Sequence, residues 1–458
     1  MAGEWIPFRL GAVCTKIGSG ATPRGGSEVY LDSGPYALIR SQNVYNNGFH
    51  RDGLAFIGEK HAEELSNVEV QEDDVLLNIT GDSVARCCQV DASILPARVN
   101  QHVAIIRPDP EKLAPRYLRY FLVSPEMQTQ LLSWAGSGGT RNALTKGMIE
   151  SFDVLAPQDI GEQCAIAHIL GTLDDKIELN RRMNETLEGM ARALFQSWFV
   201  DFDPVRMKAE GKRMKAEKRP AADLLHPSSF KLSPSFLDLF PDSFEDSELG
   251  EIPKRWEIQP FADTIEIIGG GTPKTSVVEY WNGDIPWFSV VDAPSGSDVW
   301  VVDTEKRITR EGIENSSTRV LPVGTTIISA RGTVGRIALV GVPMAMNQSC
   351  YGLRGKTGSD GSFTYFVTRE LVARLRQHSH GSIFDTITGD TLAGVSVVVP
   401  TVEIIQSFET CVGPILKRIR SALFESRTLA ALRDALLPKL ISGELRVKDA
   451  KRFVGRVV

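Results

Sequence analysis

Along this chain the hydrophobic positions fall into two regimes, one helical and one of short strands. From Ile166 onward a single stripe recurs at alternating spacings of four and three: Ile166, Leu170, Leu173, Ile177, Asn180, Asn184, Leu187, Ala191, Leu194 and Trp198. That spacing is a heptad seam, and it predicts a long helix whose stripe faces a partner. The neighbouring positions Asp174, Asp175, Lys176, Arg181, Arg182, Glu185 and Glu188 are charged, as a solvated flank would be. At about 1.5 Å per residue the helix is expected to run on the order of 50 Å. A second stripe passes through Phe408, Val412, Ile415, Ile419, Ala422, Leu429, Leu436 and Leu440, with Ser426 and Arg433 in seam positions between them. Two such seams predict one antiparallel coiled coil. Gly413-Pro414 predicts a kink or restart in the second helix, because proline removes a backbone donor and crowds the preceding turn. Asn180 and Asn184 read as a polar pair that fixes register. The competing arrangement packs each helix onto its own globular neighbour.

Outside the helices the chain contains itself twice. Ile17-Gly18-Ser19-Gly20-Ala21-Thr22-Pro23-Arg24 returns as Ile267-Ile268-Gly269-Gly270-Gly271-Thr272-Pro273-Lys274, and Tyr30 returns as Tyr280 at the same offset of 250. Trp5 precedes the first copy and Trp256 the second. Val84-Ala85-Arg86 matches Val334-Gly335-Arg336, and Asn100-Gln101 matches Asn347-Gln348. Each copy then has a small-residue turn, Gly138-Gly139-Thr140 or His380-Gly381-Ser382, and a strand-like run at 152–157 or 395–400 that leads into a long helix. A collinear series of this kind marks a duplication. Short β-branched runs at 75–80 and 325–329, punctuated by Gly, Pro and Asn, make each half a mixture of short strands and helices. The expected fold is α+β: globular domains at 1–157 and 254–400, helices at 158–202 and 401–445, and a tail at 446–458. Residues 203–253 read as a linker, with seven basic residues against two acidic ones between 206 and 219, followed by a Pro-, Ser- and Asp-rich stretch.

Composition narrows the class without naming it. At 458 residues, 42% hydrophobic and 24% charged, the chain is long enough for several domains with real cores. No apolar run approaches the roughly 20 residues of a membrane-spanning helix, and the first ten residues do not form an export signal, so a cytoplasmic location is expected. The cysteines Cys14, Cys87, Cys88, Cys164, Cys350 and Cys411 show no zinc spacing and read as free thiols. A net charge of −6 runs against the basic footprint of a DNA binder, so any basic DNA-contacting surface must be localised.

The helical segments carry a resemblance. Residues 173–187, opening Leu173-Asp174-Asp175-Lys176-Ile177-Glu178-Leu179-Asn180, together with Leu194-Phe195-Gln196-Ser197-Trp198-Phe199-Val200-Asp201-Phe202, resemble the central conserved region of specificity subunits of Type I restriction-modification enzymes. Leu436-Leu437-Pro438-Lys439-Leu440-Ile441-Ser442-Gly443-Glu444-Leu445 is similar to the family's distal conserved region, and Gly250-Glu251-Ile252-Pro253-Lys254-Arg255-Trp256 to the entry of its second recognition domain. The resemblance covers the whole chain. It implies two target-recognition domains, each reading half of a split target on double-stranded DNA. The helices would set the gap and dock two methyltransferase subunits, with restriction/translocase subunits joining. S-adenosylmethionine and ATP would then be cofactors of the partner subunits only. The contrasting reading is a coiled-coil adaptor that binds proteins rather than DNA.

Base edges are read by Arg on guanine and by Asn or Gln on adenine, while Ser, Thr and Lys position phosphates. The first half offers Thr22, Arg24, Arg40, Ser41, Gln42, Asn43, Arg86, Asn100, Gln101, Thr140, Arg141 and Asn142. The second offers Lys274, Ser289, Arg331, Thr333, Arg336, Asn347, Gln348 and Ser382. Positions that recur in both halves, such as Arg86 with Arg336, are expected to serve the scaffold more than base choice. No catalytic set accompanies them. The glycine clusters lack dinucleotide-loop or phosphate-loop spacing, Asp203-Pro204 is followed by Val205 rather than a methyltransferase motif, and the histidines make no metal spacing. A non-catalytic subunit is expected.

Overall fold

The computed structural model describes residues 4–136, 142–216, 234–294, 298–356, 361–378 and 386–455. They form two compact units: Met1–Glu178 with Ser426–Val458, and Leu179–Glu425. Each unit holds one globular domain and one half of each of two 40-residue helices, Ile160–Phe199 and Val402–Ile441. At about 1.5 Å per residue each helix is about 60 Å long.

The two domains share one sheet plan. In the first, the central sheet orders its strands Cys14–Ser19, Val103–Pro108, Val75–Asn78, Cys87–Gln89, antiparallel throughout. In the second the same order is Ile265–Gly269, Cys350–Gly355, Thr326–Ser329, Ile337–Val340, again antiparallel, with Trp300–Val301 added in parallel at the edge. A flanking sheet pairs Tyr36–Ile39 in parallel with Ala97–Val99 and antiparallel with Ala55–Ile57. Its counterpart pairs Trp281–Phe288 in parallel with Ala345–Met346 and antiparallel with Lys306–Ile308. A two-stranded ribbon closes each domain, Trp5–Arg9 with Asp153–Pro157 and Glu257–Pro260 with Ser396–Val399. Val75 to Leu77 are buried on both faces, which is why that strand reads as a continuous apolar run.

Within each unit the helix halves run antiparallel. In the first unit Asp174 meets Arg433 and Glu162 meets Arg446; in the second Asn180 donates to Glu425 at 3.0 Å and Arg418 approaches Met183. Leu173, Asn180, Asn184, Leu194, Trp198, Ile419, Leu429 and Leu436 are buried, whereas Ile177, Leu187 and Ile415 are half-buried. The deeper neighbour of Ile415 is Leu416, because Ile405, Phe408, Val412, Leu416 and Ile419 form a stripe facing an aromatic core.

Three expectations need correcting. The second helix does not restart at Gly413-Pro414 but continues as one element, with the buried residues Val412 and Leu416 on both sides of the proline. Asp174 and Glu188 do not belong to a solvated flank: Asp174 is half-buried between Arg119 and Arg433, and Glu188 is buried against Arg369. The stretch read as a linker contains folded elements. Asp203–Ala216 is a helix, and buried Val205 and Phe240 join the core around Trp198, while Lys208 donates to the Phe240 carbonyl and Arg206 lies over the Phe244 ring.

The same chain ending recurs in both units. In the second, Phe202 in left-handed conformation turns the chain out of the first long helix, and its ring packs on Trp256. In the first, left-handed Gly443 turns the chain out of the second long helix against the Trp5 ring, whose Nε1 donates to the Ile441 carbonyl at 3.0 Å. The first unit's core therefore includes Leu429, Leu436, Leu440 and Ala450 from late in the chain.

Candidate nucleic-acid interface

In each domain the functional loops converge because strand directions bring them together. The strands ending at Ser19, Ile39, Asn78 and Val99 all finish at the edge where Val103 begins the next strand, so the turns that follow lie side by side. Thr22 Oγ1 donates to Gln101 Oε1 at 2.6 Å, Gln101 Nε2 meets His102 Nε2 at 2.9 Å, and His102 Nδ1 meets Thr80 Oγ1 at 2.6 Å. The second domain gathers the turns after Gly269, Phe288, Ser329 and Met346 in the same way. Thr272 bonds Gln348, the Asn347 N–H donates to the Phe288 carbonyl at 2.9 Å, and the Arg331 N–H to the Ser349 carbonyl at 3.2 Å.

The duplicated glycine-threonine-proline segment has a steric cause. A Cβ on Gly20 would lie 1.7 Å from the Val99 carbonyl oxygen, and one on Gly270 would lie 1.9 Å from that of Asn347. Only glycine allows this crossing, which seats the threonine of the motif beside the glutamine of the next turn.

The candidate residues divide into available and internal. Thr22, Arg24, Gln42, Gln101, Asn142, Lys274, Arg331, Thr333, Arg336 and Gln348 are exposed or half-exposed on these turns. Asn43 and Asn100 are not available, and their expected place on the reading surface is corrected. Asn43 Oδ1 accepts from the Arg40 N–H at 3.1 Å while its Nδ2 donates to the His50 carbonyl at 2.9 Å, and Asn100 Oδ1 accepts from the His102 N–H at 3.0 Å. Asn347 Oδ1 closes the equivalent turn by accepting from the Ser349 N–H at 3.0 Å. The Ser289 hydroxyl donates to Asp292, and the Ser41 carbonyl accepts from Asn78 Nδ2 at 2.8 Å. Arg40 lies over the Tyr30 ring and donates to Gly53, and Arg86 stacks on Tyr45 at 4.6 Å. Thr140, Arg141 and Ser382 lie outside the described residues. Sequence reasoning missed His102 and Thr80; their signal was adjacency to Gln101 and to the end of the strand beneath.

Exposed cations thus sit on these turns, Arg24 in the first domain and Lys274, Arg331 and Arg336 in the second, while the whole chain stays acidic. Among the described residues no group of three or more His, Cys, Asp or Glu could hold a metal, and no helix is long and apolar enough to cross a membrane. The cysteines are free, and burial pushes Cys88 up to about 12, which keeps it a thiol.

A family model described as the Type I restriction modification DNA specificity domain matches residues 2–189 and again 253–410. The chain belongs to this family. The two matches fall on the duplicated domains and the beginnings of the helices that follow them. The Type I restriction enzyme HindI specificity subunit of Haemophilus influenzae is 28% identical over 471 residues, covering 96% of this chain and all of that protein. The MjaIX specificity subunit of Methanocaldococcus jannaschii is 31% identical over 169 residues, 36% of this chain and 39% of that one. The crystal structure of the Type I restriction-modification S subunit from M. genitalium shares the fold, with a TM-score of 0.56 at 13% identity over 96% of both chains. As a member of the Type I specificity family, the chain supplies the DNA sequence specificity of a restriction-modification system, and the adaptor reading is set aside.

Proposed function

We propose that the chain reads a split DNA target, each recognition domain gripping one half-site through the loop cluster at its sheet edge. The observation that carries this reading is the duplication of that cluster on the same strand ends in both domains. Double-stranded DNA is the ligand, and the long helices act as the ruler for the unspecified gap and as the dock for two methyltransferase subunits. Restriction/translocase subunits join that assembly. Two modules linked stiffly on one duplex make the second contact intramolecular, so spacing becomes part of specificity. The exposed cations Arg24, Lys274, Arg331 and Arg336 supply phosphate attraction, and exposed amides such as Gln42 and Gln101 supply base-edge chemistry. The chain itself is non-catalytic in this reading. Methyl transfer from S-adenosylmethionine and ATP-driven cleavage belong to partner subunits, and the complex works in the cytoplasm.

The test is genome-wide mapping of methylated bases in host DNA with and without this gene, with its modification subunit present. Methylation at one split motif should vanish on deletion. Exchanging residues 1–157 for those of another family member should then change one half of the motif and leave the other. Unchanged methylation combined with absence of DNA binding by the purified complex would overturn the reading.

A further inference from the structure

One turn on the reading edge has the same frame in both domains and opposite chemistry. After the strand ending at Ile39, Asn43 Oδ1 accepts from the Arg40 N–H at 3.1 Å, and the Asn43 N–H donates to the Arg40 carbonyl at 2.8 Å. After the strand ending at Phe288, Asp292 Oδ2 accepts from the Ser289 N–H at 2.8 Å, and the Asp292 N–H donates to the Ser289 carbonyl at 3.0 Å. A buried or half-buried side chain thus closes a single helical turn, Ser41–Asn43 in one domain and Val290–Asp292 in the other. Gln42 therefore corresponds to Val291.

Val291 is 70% exposed. Isolated apolar residues on a surface are ordinary, but this one sits on an edge otherwise presenting Arg331, Thr333, Arg336 and Gln348. The turn is closed by Asp292 and Ser289, so its geometry makes no demand for a β-branched residue at 291. On a polar surface facing a duplex, an apolar side chain has one specific use in the major groove. It contacts the C5-methyl group of thymine, and it leaves the N4 amino donor of cytosine without an acceptor.

We infer that Val291 reads a thymine methyl group in the half-site of the second domain, at the place where the first domain presents the amide of Gln42. This rests on the reading that the loop cluster contacts DNA.

Once the target is mapped, duplexes carrying deoxyuridine in place of each thymine of the second half-site, one at a time, are bound by the complex of the full chain with its modification subunits. One such substitution should weaken the wild-type complex about fourfold, the weight of one buried methyl group. The V291A complex should bind the thymine and deoxyuridine duplexes equally at that position. Its unaltered discrimination against mismatches at the other positions of the second half-site shows that the second domain of the variant is folded. A second half-site without thymine, uniform tolerance of deoxyuridine by the wild type, or an equal deoxyuridine penalty in V291A overturns the inference while leaving the split-target reading intact. Absence of sequence-specific binding by the wild-type complex overturns both.

Discussion

The two recognition domains share a sheet plan, yet they are fastened to their helix halves by different physics. In the first unit the fastening is ionic. Asp174 on the first long helix accepts from Arg119 at 2.8 Å, from Tyr120 at 2.7 Å and from Arg433 of the second long helix at 2.7 Å. Burial pushes the Asp174 carboxyl up, but Arg119, Tyr120 and Arg433 outweigh it and hold the group below the ordinary carboxylate range. In the second unit a cluster of rings does most of the fastening, beside the ion pair of Arg369 with Glu188. Phe195, Trp198, Phe199, Phe363, Phe366 and Phe408 meet ring to ring, with centroids 5.1 to 6.4 Å apart. A buried ion-pair knot is directional and intolerant of a missing partner, whereas an aromatic cluster is adaptable and holds by area. One sheet plan is thus served by two different attachments to the helices.

The largest effects should separate these fastenings. Asp174→Asn leaves the buried Arg119 guanidinium without its carboxylate, while half-buried Arg433 keeps Asp434, and is expected to destabilise the first unit by about 3 kcal/mol. Phe408→Ala should cost the second unit a similar amount, about 3 to 5 kcal/mol, through the cavity it opens. pH distinguishes them. Because the folded Asp174 carboxyl titrates below its unfolded value, its contribution is present above about pH 4 and is lost as pH falls through the folded value. The Asp174→Asn penalty should thus shrink in acid and that of Phe408→Ala should not, as read by hydrogen exchange within each unit. Equal acid sensitivity of the two would dissolve the contrast.

Next in size, Arg336→Ala should weaken binding to all DNA sequences alike and lower the salt slope by about one, whereas Arg86→Ala, which removes a side chain stacked on Tyr45, should leave the slope nearly unchanged. A change confined to one base position would instead make that arginine a reader. His102→Ser, which installs the residue that follows Gln348 in the second domain, should break the Gln101 and Thr80 links and cost about 1 kcal/mol at the first half-site alone. The smallest contrast concerns a hairpin position that is left-handed in both domains, Ala85 at φ 72° and Gly335 at φ 78°. Ala85→Gly should relieve left-handed strain but delete a fully buried methyl group, so the first unit is expected to change by less than about 0.5 kcal/mol. Gly335→Ala should destabilise the second, since its Cβ would lie 2.8 Å from Val372 Cγ1. Differential scanning of both variants checks the pair.

The duplication and the long helices were legible because they depend on local rules. Glycine was required at the close crossing of Gly20 and Gly270, and the buried stripe had a period. What stayed hidden depended on partners far along the chain. Asp174 and Glu188 look like surface charges until Arg119, Arg433 and Arg369 arrive from other elements. Asn43 and Asn100 have the side chains of base readers, but a loop amide is equally suited to closing its own turn, and composition cannot choose between those uses. The basic run after Arg206 concealed Val205, whose burial depends on Trp198 and Phe240.

The Trp5 seat beside Gly443 also sets the cost of assembling its unit, since it joins residues 436 positions apart. The second unit is drawn from one unbroken stretch, Leu179–Glu425, whereas the first is built from two segments separated by all of it. The first unit's core needs Leu429, Leu436, Leu440 and the Ile441 carbonyl that Trp5 engages. Closing it means closing a loop that contains the whole second unit, so the first unit is expected to fold the more slowly of the two.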